Sequence, residues 1–243
     1  MEKKHLIFKN ISAVSLGIMV SRILGYFRDM LVASLFGAGF YADTFYAAFR
    51  IPNLFRRLFG ESSLNAVFVP VFSEVLQKEQ KQKVEEFISA VSTVMFVLLG
   101  IITIIGITFA LPITKLITWG FPQNKILLTS KLLQTMFPYM ILICFSALWL
   151  SILNCLKIFF IPAMSSSSLS ITEIIFVLLI AYSLPDHERV YGLAISVLAG
   201  GVLQFSINYL MVRNKYEIKL KLTKIFYYLS LPEIKKCIFY LSQ

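Results

Sequence analysis

Histidine and cysteine are scarce, with two of the first and three of the second in 243 residues. His5 and His187 have no partner at metal-ligand spacing. Cys144, Cys155 and Cys237 sit in or beside apolar runs and form no Cys-x-x-Cys pair. A zinc site and a disulfide scaffold are thereby excluded, and buried or lipid-facing thiols remain. Charge is scarce as well. Asp, Glu, Lys and Arg make up 15% of the chain, where a soluble domain carries about 25%. Apolar residues make up 58%. A chain of this length builds a core, but a soluble fold cannot hide so much apolar surface, and lipid is the natural solvent for the excess. There is no nucleophile–base pair, phosphate loop or metal cluster, so an enzyme is not expected and no cofactor is implied. A cleavable signal peptide is not expected either, because charge interrupts the first apolar run and no small-residue cleavage site follows.

What is present is a set of long runs without charge. Phe87–Thr114, Leu132–Leu156 and Val190–Val212 contain no Asp, Glu, Lys or Arg over 28, 25 and 23 residues. About 20 apolar residues cross the roughly 30 Å hydrocarbon layer as a helix. Barrel strands are about 10 residues long and alternate, so these runs exclude a β-barrel. The pattern predicts an all-α membrane protein with six spans, over about 11–36, 41–59, 87–111, 132–156, 161–184 and 190–212. An amphipathic continuation, about 62–77, follows the second. The six spans form a lobe over 1–213. A basic linker, 214–236, leads to the start of a seventh span at 237–243.

The net charge of +10 raises nucleic acid as a partner, but the basic residues cluster at the ends of apolar runs on alternate sides. With the N-terminus in the cytoplasm, 16 basic residues fall on the cytoplasmic side and 4 outside. That is the positive-inside signature of a multi-pass protein among membrane lipids, with no nucleic-acid partner.

Charges within spans are the informative ones, because each costs about 2.5–3.5 kcal/mol at mid-bilayer on insertion scales and usually faces a cavity or a partner. The first span carries Arg22, Arg28 and Asp29. The second carries Asp43 and Arg50, with Arg56 and Arg57 at its cytoplasmic end and Glu61 beyond. Snorkelling, interfacial exposure and mutual pairing are the plain readings, and Arg56 and Arg57 suit positive-inside anchors. Arg22 and Arg50 lie deeper, which favours a polar cavity. A cavity lined by arginines suits anions, since the guanidinium fork donates two parallel hydrogen bonds to phosphate. Anion transport, lipid flipping and channel gating all fit. Arg22 and Arg28 are six positions apart, about 120° around a helix, so a bend near Gly25 is needed to aim both at one ligand. In the fifth span, Ser165 to Ser168, Ser170 and Thr172 suit close helix packing. Glu173 follows with no partner in sequence. Pairing with an arginine, protonation and ion coupling are the open readings for it.

These residues carry a resemblance. Ser21-Arg22-Ile23-Leu24-Gly25-Tyr26-Phe27-Arg28-Asp29 resembles the first-span motif of the MurJ/MviN lipid II flippases. Phe36-Gly37-Ala38-Gly39 and Ala42-Asp43-Thr44-Phe45 resemble that family's first outer turn. Ile51-Pro52-Asn53-Leu54-Phe55-Arg56-Arg57-Leu58-Phe59 with Glu61 resembles its second-span motif. Phe68-Val69-Pro70, Phe137-Pro138-Tyr139, Ile161-Pro162-Ala163 and Gly200-Gly201-Val202-Leu203-Gln204 continue it in order.

The resemblance implies the N-terminal lobe of a two-lobe flippase with a V-shaped cationic cavity. Such a protein moves the undecaprenyl-pyrophosphate-linked peptidoglycan precursor, lipid II, from the inner to the outer leaflet by alternating access, in the bacterial cytoplasmic membrane. It implies Arg22, Arg28, Arg56 and Asp43 as substrate-binding residues. Arg50, Arg57, Asp29, Glu61 and Glu173 stand as cavity or coupling residues. Two departures matter. The family's chain is about twice this length, so the second lobe is expected from a missing C-terminal half or a second copy. Glu173 stands where the family is usually apolar, and Ser170 replaces a common Asn. The alternatives are an exporter of another lipid-linked sugar, or a truncated remnant or membrane scaffold that transports nothing.

Overall fold

The computed structural model describes residues 2–58 and 63–241. Among these residues it has twelve α-helices, two short 3₁₀ turns and no β-strand. The helices are α1 (Glu2–Phe36), α2 (Phe40–Arg57), α3 (Ser63–Lys78), α4 (Lys81–Thr108), α5 (Ala110–Ile117), α6 (Gln123–Met136), α7 (Tyr139–Cys155), α8 (Phe160–Ser165), α9 (Ser168–Leu179), α10 (Asp186–Arg213), α11 (Ile225–Ser230) and α12 (Pro232–Leu241).

Three stretches are long and apolar enough to cross a membrane: Lys81–Thr108, Gln123–Cys155 and Asp186–Arg213, with mean hydropathies of 2.6, 2.1 and 1.8. They correspond to the third, fourth and sixth expected spans. The first two expected spans are helical over α1 and α2. The fifth is split. α8 ends at Ser165, the chain tightens into a turn in which the Ser167 amide donates to Met164 O at 3.0 Å, and α9 begins at Ser168. The fourth begins earlier than its apolar run. Helix α6 starts at Gln123, so much of the expected outer loop is helical, and α6 meets α7 at Phe137–Pro138. Proline lacks an amide donor and crowds the preceding turn, which accounts for the joint there.

Local chemistry sets the turns. Gly37 closes α1 in the left-handed region, φ +59°, and its amide donates to Ala33 O at 2.8 Å. Glycine occupies that region without a Cβ clash, which permits the tight passage from α1 to α2. At the other end of the bundle, Lys157 takes φ +61° after α7. The paired bonds Lys157 N to Asn154 O and Ile158 N to Leu153 O complete a Schellman cap.

The core is an α7–α9–α10 unit, with α2, α3 and α6 packed around it. Trp149, Tyr139, Met140, Leu148, Ile152 and Leu153 of α7 are essentially inaccessible. Helices in lipid approach closely through small residues and hydrogen bonds, and both occur here. A Cβ at Gly200 of α10 would lie 2.7 Å from Leu169 Cα and 2.6 Å from Thr172 Oγ1. Thr172 Oγ1 donates across the same interface to Ser196 O at 3.0 Å. Between α10 and α7, the Asn208 amide donates to Ser146 O at 3.4 Å.

After α10 the chain runs extended along α4. Backbone amides of Glu217, Lys219 and Lys221 donate to Glu85 Oε1, Ser89 Oγ and Thr93 Oγ1 at 3.0, 3.2 and 3.3 Å. The match is geometric. Four helical residues rise about 6.0 Å, and two extended residues span about 6.6 Å. Ile218 and Leu220, on the alternate side, face Phe96, Phe145, Trp149 and Tyr209 across an apolar groove of about 420 Å³. Helix α11 packs on α4, and α12 packs on α3. Glu74 of α3 accepts from Lys78 at 2.9 Å and from Lys236 of α12 at 3.2 Å. Those two ammonium groups hold its carboxyl below the usual carboxylate range. Helix α12 begins at Pro232, five residues before the expected seventh apolar piece.

Gly200→Ala is expected to destabilise the protein by about 1–3 kcal/mol, the cost of overpacking a tight interface. At Gly100 nothing stands within 4 Å of an added Cβ, so Gly100→Ala should stabilise by up to about 1 kcal/mol through helix propensity. Thermal unfolding of both variants in detergent checks the contrast in sign.

A polar stripe between the first and ninth helices

Helix α1 lies along α8 and α9 in parallel register. Ser21 Oγ and Ser166 Oγ are 3.1 Å apart. Gly25 faces Ser170, whose Oγ would stand 3.9 Å from a Cβ at position 25. Arg28 Nε stands 3.6 Å from Glu173 Oε2. Positions 21, 25 and 28 share one face of α1, and 166, 170 and 173 follow the same four-then-three spacing on the partner. The serine run and Glu173 are thus one stripe that meets the first-span motif.

At the end of the stripe Arg28 is held by two carboxylates. Asp29 Oδ1 accepts from both Nε and Nη2, at 3.0 and 2.8 Å. Glu173 approaches from the interior. The two acids differ in setting, since the Glu173 side chain is 3% exposed and that of Asp29 is 56% exposed. Glu173 Oε1 is buried and accepts no hydrogen bond from any described residue, and the buried Tyr139 hydroxyl likewise has no partner among them. Arg56 of α2 lies within electrostatic reach of both Glu173 and Tyr139. Its Nε donates to Asn53 Oδ1 at 3.0 Å, one turn back on α2. Tyr139 packs on Phe49 of α2, with ring centroids 6.2 Å apart, and abuts Gly201 of α10. Residues from α1, α2, α7 and α9 therefore converge: Arg28, Asp29, Arg56, Tyr139 and Glu173. Sequence inspection flagged four of them. Tyr139 was visible only as part of a motif, because one tyrosine among eleven carries no signal of its own.

The remaining expected site residues lie elsewhere. Arg22, Arg50 and Arg57 are exposed and form no ion pair among the described residues. Helix α1 is continuous through Gly25, and Arg22 is exposed while Arg28 is partly buried. Gly25 lets α1 sit against Ser170. Asp43 is in the first turn of α2, about 20 Å along that helix from Arg56 by helical rise. It is paired with Lys125 of α6 at 2.5 Å, and Lys125 also lies 4.3 Å from the Phe121 ring centroid. Glu61 lies outside the described residues. No group of three or more His, Cys, Asp or Glu able to hold a metal occurs among the described residues.

A buried carboxylate facing an arginine from a neighbouring helix is a costly arrangement. The family model described as "Lipid II flippase MurJ" matches residues 32–238. The chain belongs to the MurJ lipid II flippase family. A probable lipid II flippase MurJ of Buchnera aphidicola subsp. Baizongia pistaciae is 38% identical over 211 residues, covering 86% of this chain and 40% of that protein. The corresponding protein of Vibrio cholerae is 39% identical over 202 residues, covering 79% and 38%. The lipid II flippase MurJ of Burkholderia cenocepacia is 34% identical over 203 residues, covering 83% and 39%. Among solved structures, a lipid II flippase MurJ in an inward closed conformation superposes with a TM-score of 0.65 at 25% identity, over 94% of this chain and 47% of that one. The chain thus spans about 40% of the length of these curated relatives, and it shares the MurJ fold. The model match begins beyond Arg22, Arg28 and Asp29, so those three rest on the first-span motif and on the geometry.

Removing Arg28 leaves a buried carboxylate without its cation, a loss of about 3–5 kcal/mol when one partner of a buried pair is deleted. Arg28→Ala should therefore lower stability strongly. Adding Glu173→Gln should recover part of the loss, because the stranded charge is gone. A double-mutant cycle by thermal unfolding measures the coupling, expected at about 0.5–3 kcal/mol. Strict additivity contradicts the pairing.

Proposed function

We propose that this chain forms the N-terminal lobe of a lipid II flippase. Its arginines engage the pyrophosphate of the undecaprenyl-linked peptidoglycan precursor on the way from the inner to the outer leaflet. The observation that carries the reading is the convergence of Arg28 and Arg56 beside Glu173, inside a bundle of the MurJ family. Arginine is suited to this task because its planar fork donates in pairs to phosphate oxygens. Arg22, Arg50 and Arg57 extend the cationic surface from the same two helices. Asp43, tied to Lys125, belongs to the outer end of the passage.

In this reading six spans cross the bilayer, with α1, α2, α4, α6–α7, α8–α9 and α10 as their helices. The N-terminus is cytoplasmic and the protein is multi-pass in the bacterial cytoplasmic membrane. The distribution of basic residues supports that orientation. The stretch after α10 is the linker on the cytoplasmic side, and α12 leads into a seventh span. The second wall of the cavity comes from a second lobe, supplied by further chain, a separate half or a second copy. No covalent bond is made or broken. Rocking of the lobes exposes the headgroup first to one side and then to the other, as alternating access requires.

The test is growth of cells depleted of their own lipid II flippase. Residues 1–243 with the C-terminal half of a curated relative are expected to restore growth and outer-leaflet precursor. The rescue should disappear with Arg28→Ala placed in a Glu173→Gln background, where no buried charge is stranded, compared at matched membrane abundance. Rescue that survives Arg28→Ala and Arg56→Ala together contradicts the assignment.

A further inference from the structure

Charge balance at the convergence poses a problem for anion binding. With every group ionised, Arg28 and Arg56 are cancelled by Asp29 and Glu173, and the cluster is neutral. A neutral cluster attracts a pyrophosphate poorly. The two acids differ in how readily they yield. Asp29 is exposed and able to turn into water. Glu173 is enclosed, with one oxygen near Arg28 and the other unpartnered among the described residues, and it has nowhere to turn.

We propose that Glu173 is a built-in competitor of the anionic headgroup for Arg28, and that it takes up one proton from water as the headgroup docks. The inference rests on the reading of Arg28 as a headgroup ligand. Its physical basis is geometric. An enclosed carboxylate stands 3.6 Å from Arg28 Nε, and anion and carboxylate together exceed the charge that the guanidinium can balance. Neutralising the enclosed acid leaves a net charge of +1 for the anion. Loss of that proton once the headgroup reaches the outer side returns Glu173 to Arg28 and weakens the hold on the anion. The exchange therefore links headgroup binding to one proton. The charged and titratable groups whose fields reach Glu173 are Arg28 and Asp29 of α1, Tyr46 and Arg56 of α2, and Tyr139 of α7. From α10, Ser196 and Gly200 pack against Thr172 and Leu169 nearby on α9, and neither titrates. Glu173 is a positioning residue in this scheme, because it acts through Arg28.

The test is binding of undecaprenyl pyrophosphate at pH 6 and pH 8 in nanodiscs that hold the 243-residue chain together with the C-terminal half of a curated relative. Glu173→Gln keeps the shape and removes the charge. It is expected to bind about tenfold tighter at pH 8 and to lose most of the difference between the two pH values seen in the parent. Asp29→Asn serves as the exposed control and should keep that difference. Arg28→Ala, compared with its parent in the Glu173→Gln background so that no buried charge is stranded, reports on the underlying reading. If Arg28→Ala weakens binding while Glu173→Gln leaves affinity and pH dependence unchanged, the competitor role is wrong and the headgroup reading stands. If Arg28→Ala binds as the parent does, or the parent does not bind, both fall.

Discussion

The contact between Arg28 and Glu173 constrains the rest of the molecule more than any other. An arginine and a glutamate at depth in adjoining helices are each costly alone, and each becomes tolerable through the other. The pair fixes which face of α1 meets α9 and sets the register at Ser21–Ser166 and Gly25–Ser170. Together with Asp29 it holds the Arg28 guanidinium between two carboxylates.

Around that contact the bundle is held by means suited to lipid. Hydrophobic burial gives little net drive between helices when the alternative surroundings are hydrocarbon. Close approach takes over, at Gly200 against Leu169 and at Gly201 against Tyr139, with hydrogen bonds such as Thr172 to Ser196 O. The extended segment after α10 uses a different device. Its amides match a ladder of side chains on α4, so an otherwise irregular chain satisfies its backbone donors without secondary structure of its own.

Much of the fold was legible in the sequence, because long runs without charge have few alternatives to helices. The third, fourth and sixth spans and the Gly37 turn were read from composition and punctuation. What was misplaced has physical reasons. The start of α6 was hidden because Gln123 to Lys131 is polar and helical at once. The break between α8 and α9 sits among serines, which are compatible with either continuation or a turn. At the site, Arg28, Asp29, Arg56 and Glu173 were all visible as expensive residues, since charge inside a span is rare enough to be a signal. Their pairing was not visible, because Arg28 and Glu173 are 145 positions apart and only the packing of α1 on α9 joins them. The place of Gly25 against Ser170 was hidden for the same reason, since it depends on a neighbouring helix that sequence inspection could not place.

The most direct measurement is disulfide trapping in native membranes on a background without Cys144, Cys155 and Cys237. The parallel register of α1 and α9 predicts that Ser21→Cys and Ser166→Cys cross-link readily on mild oxidation, as their hydroxyls are 3.1 Å apart. Failure of that pair, with ready cross-linking of Ser21→Cys to Ile174→Cys instead, would mean that the helices run antiparallel. Arg28 and Glu173 would then not meet, and the account of the site would be contradicted at its base.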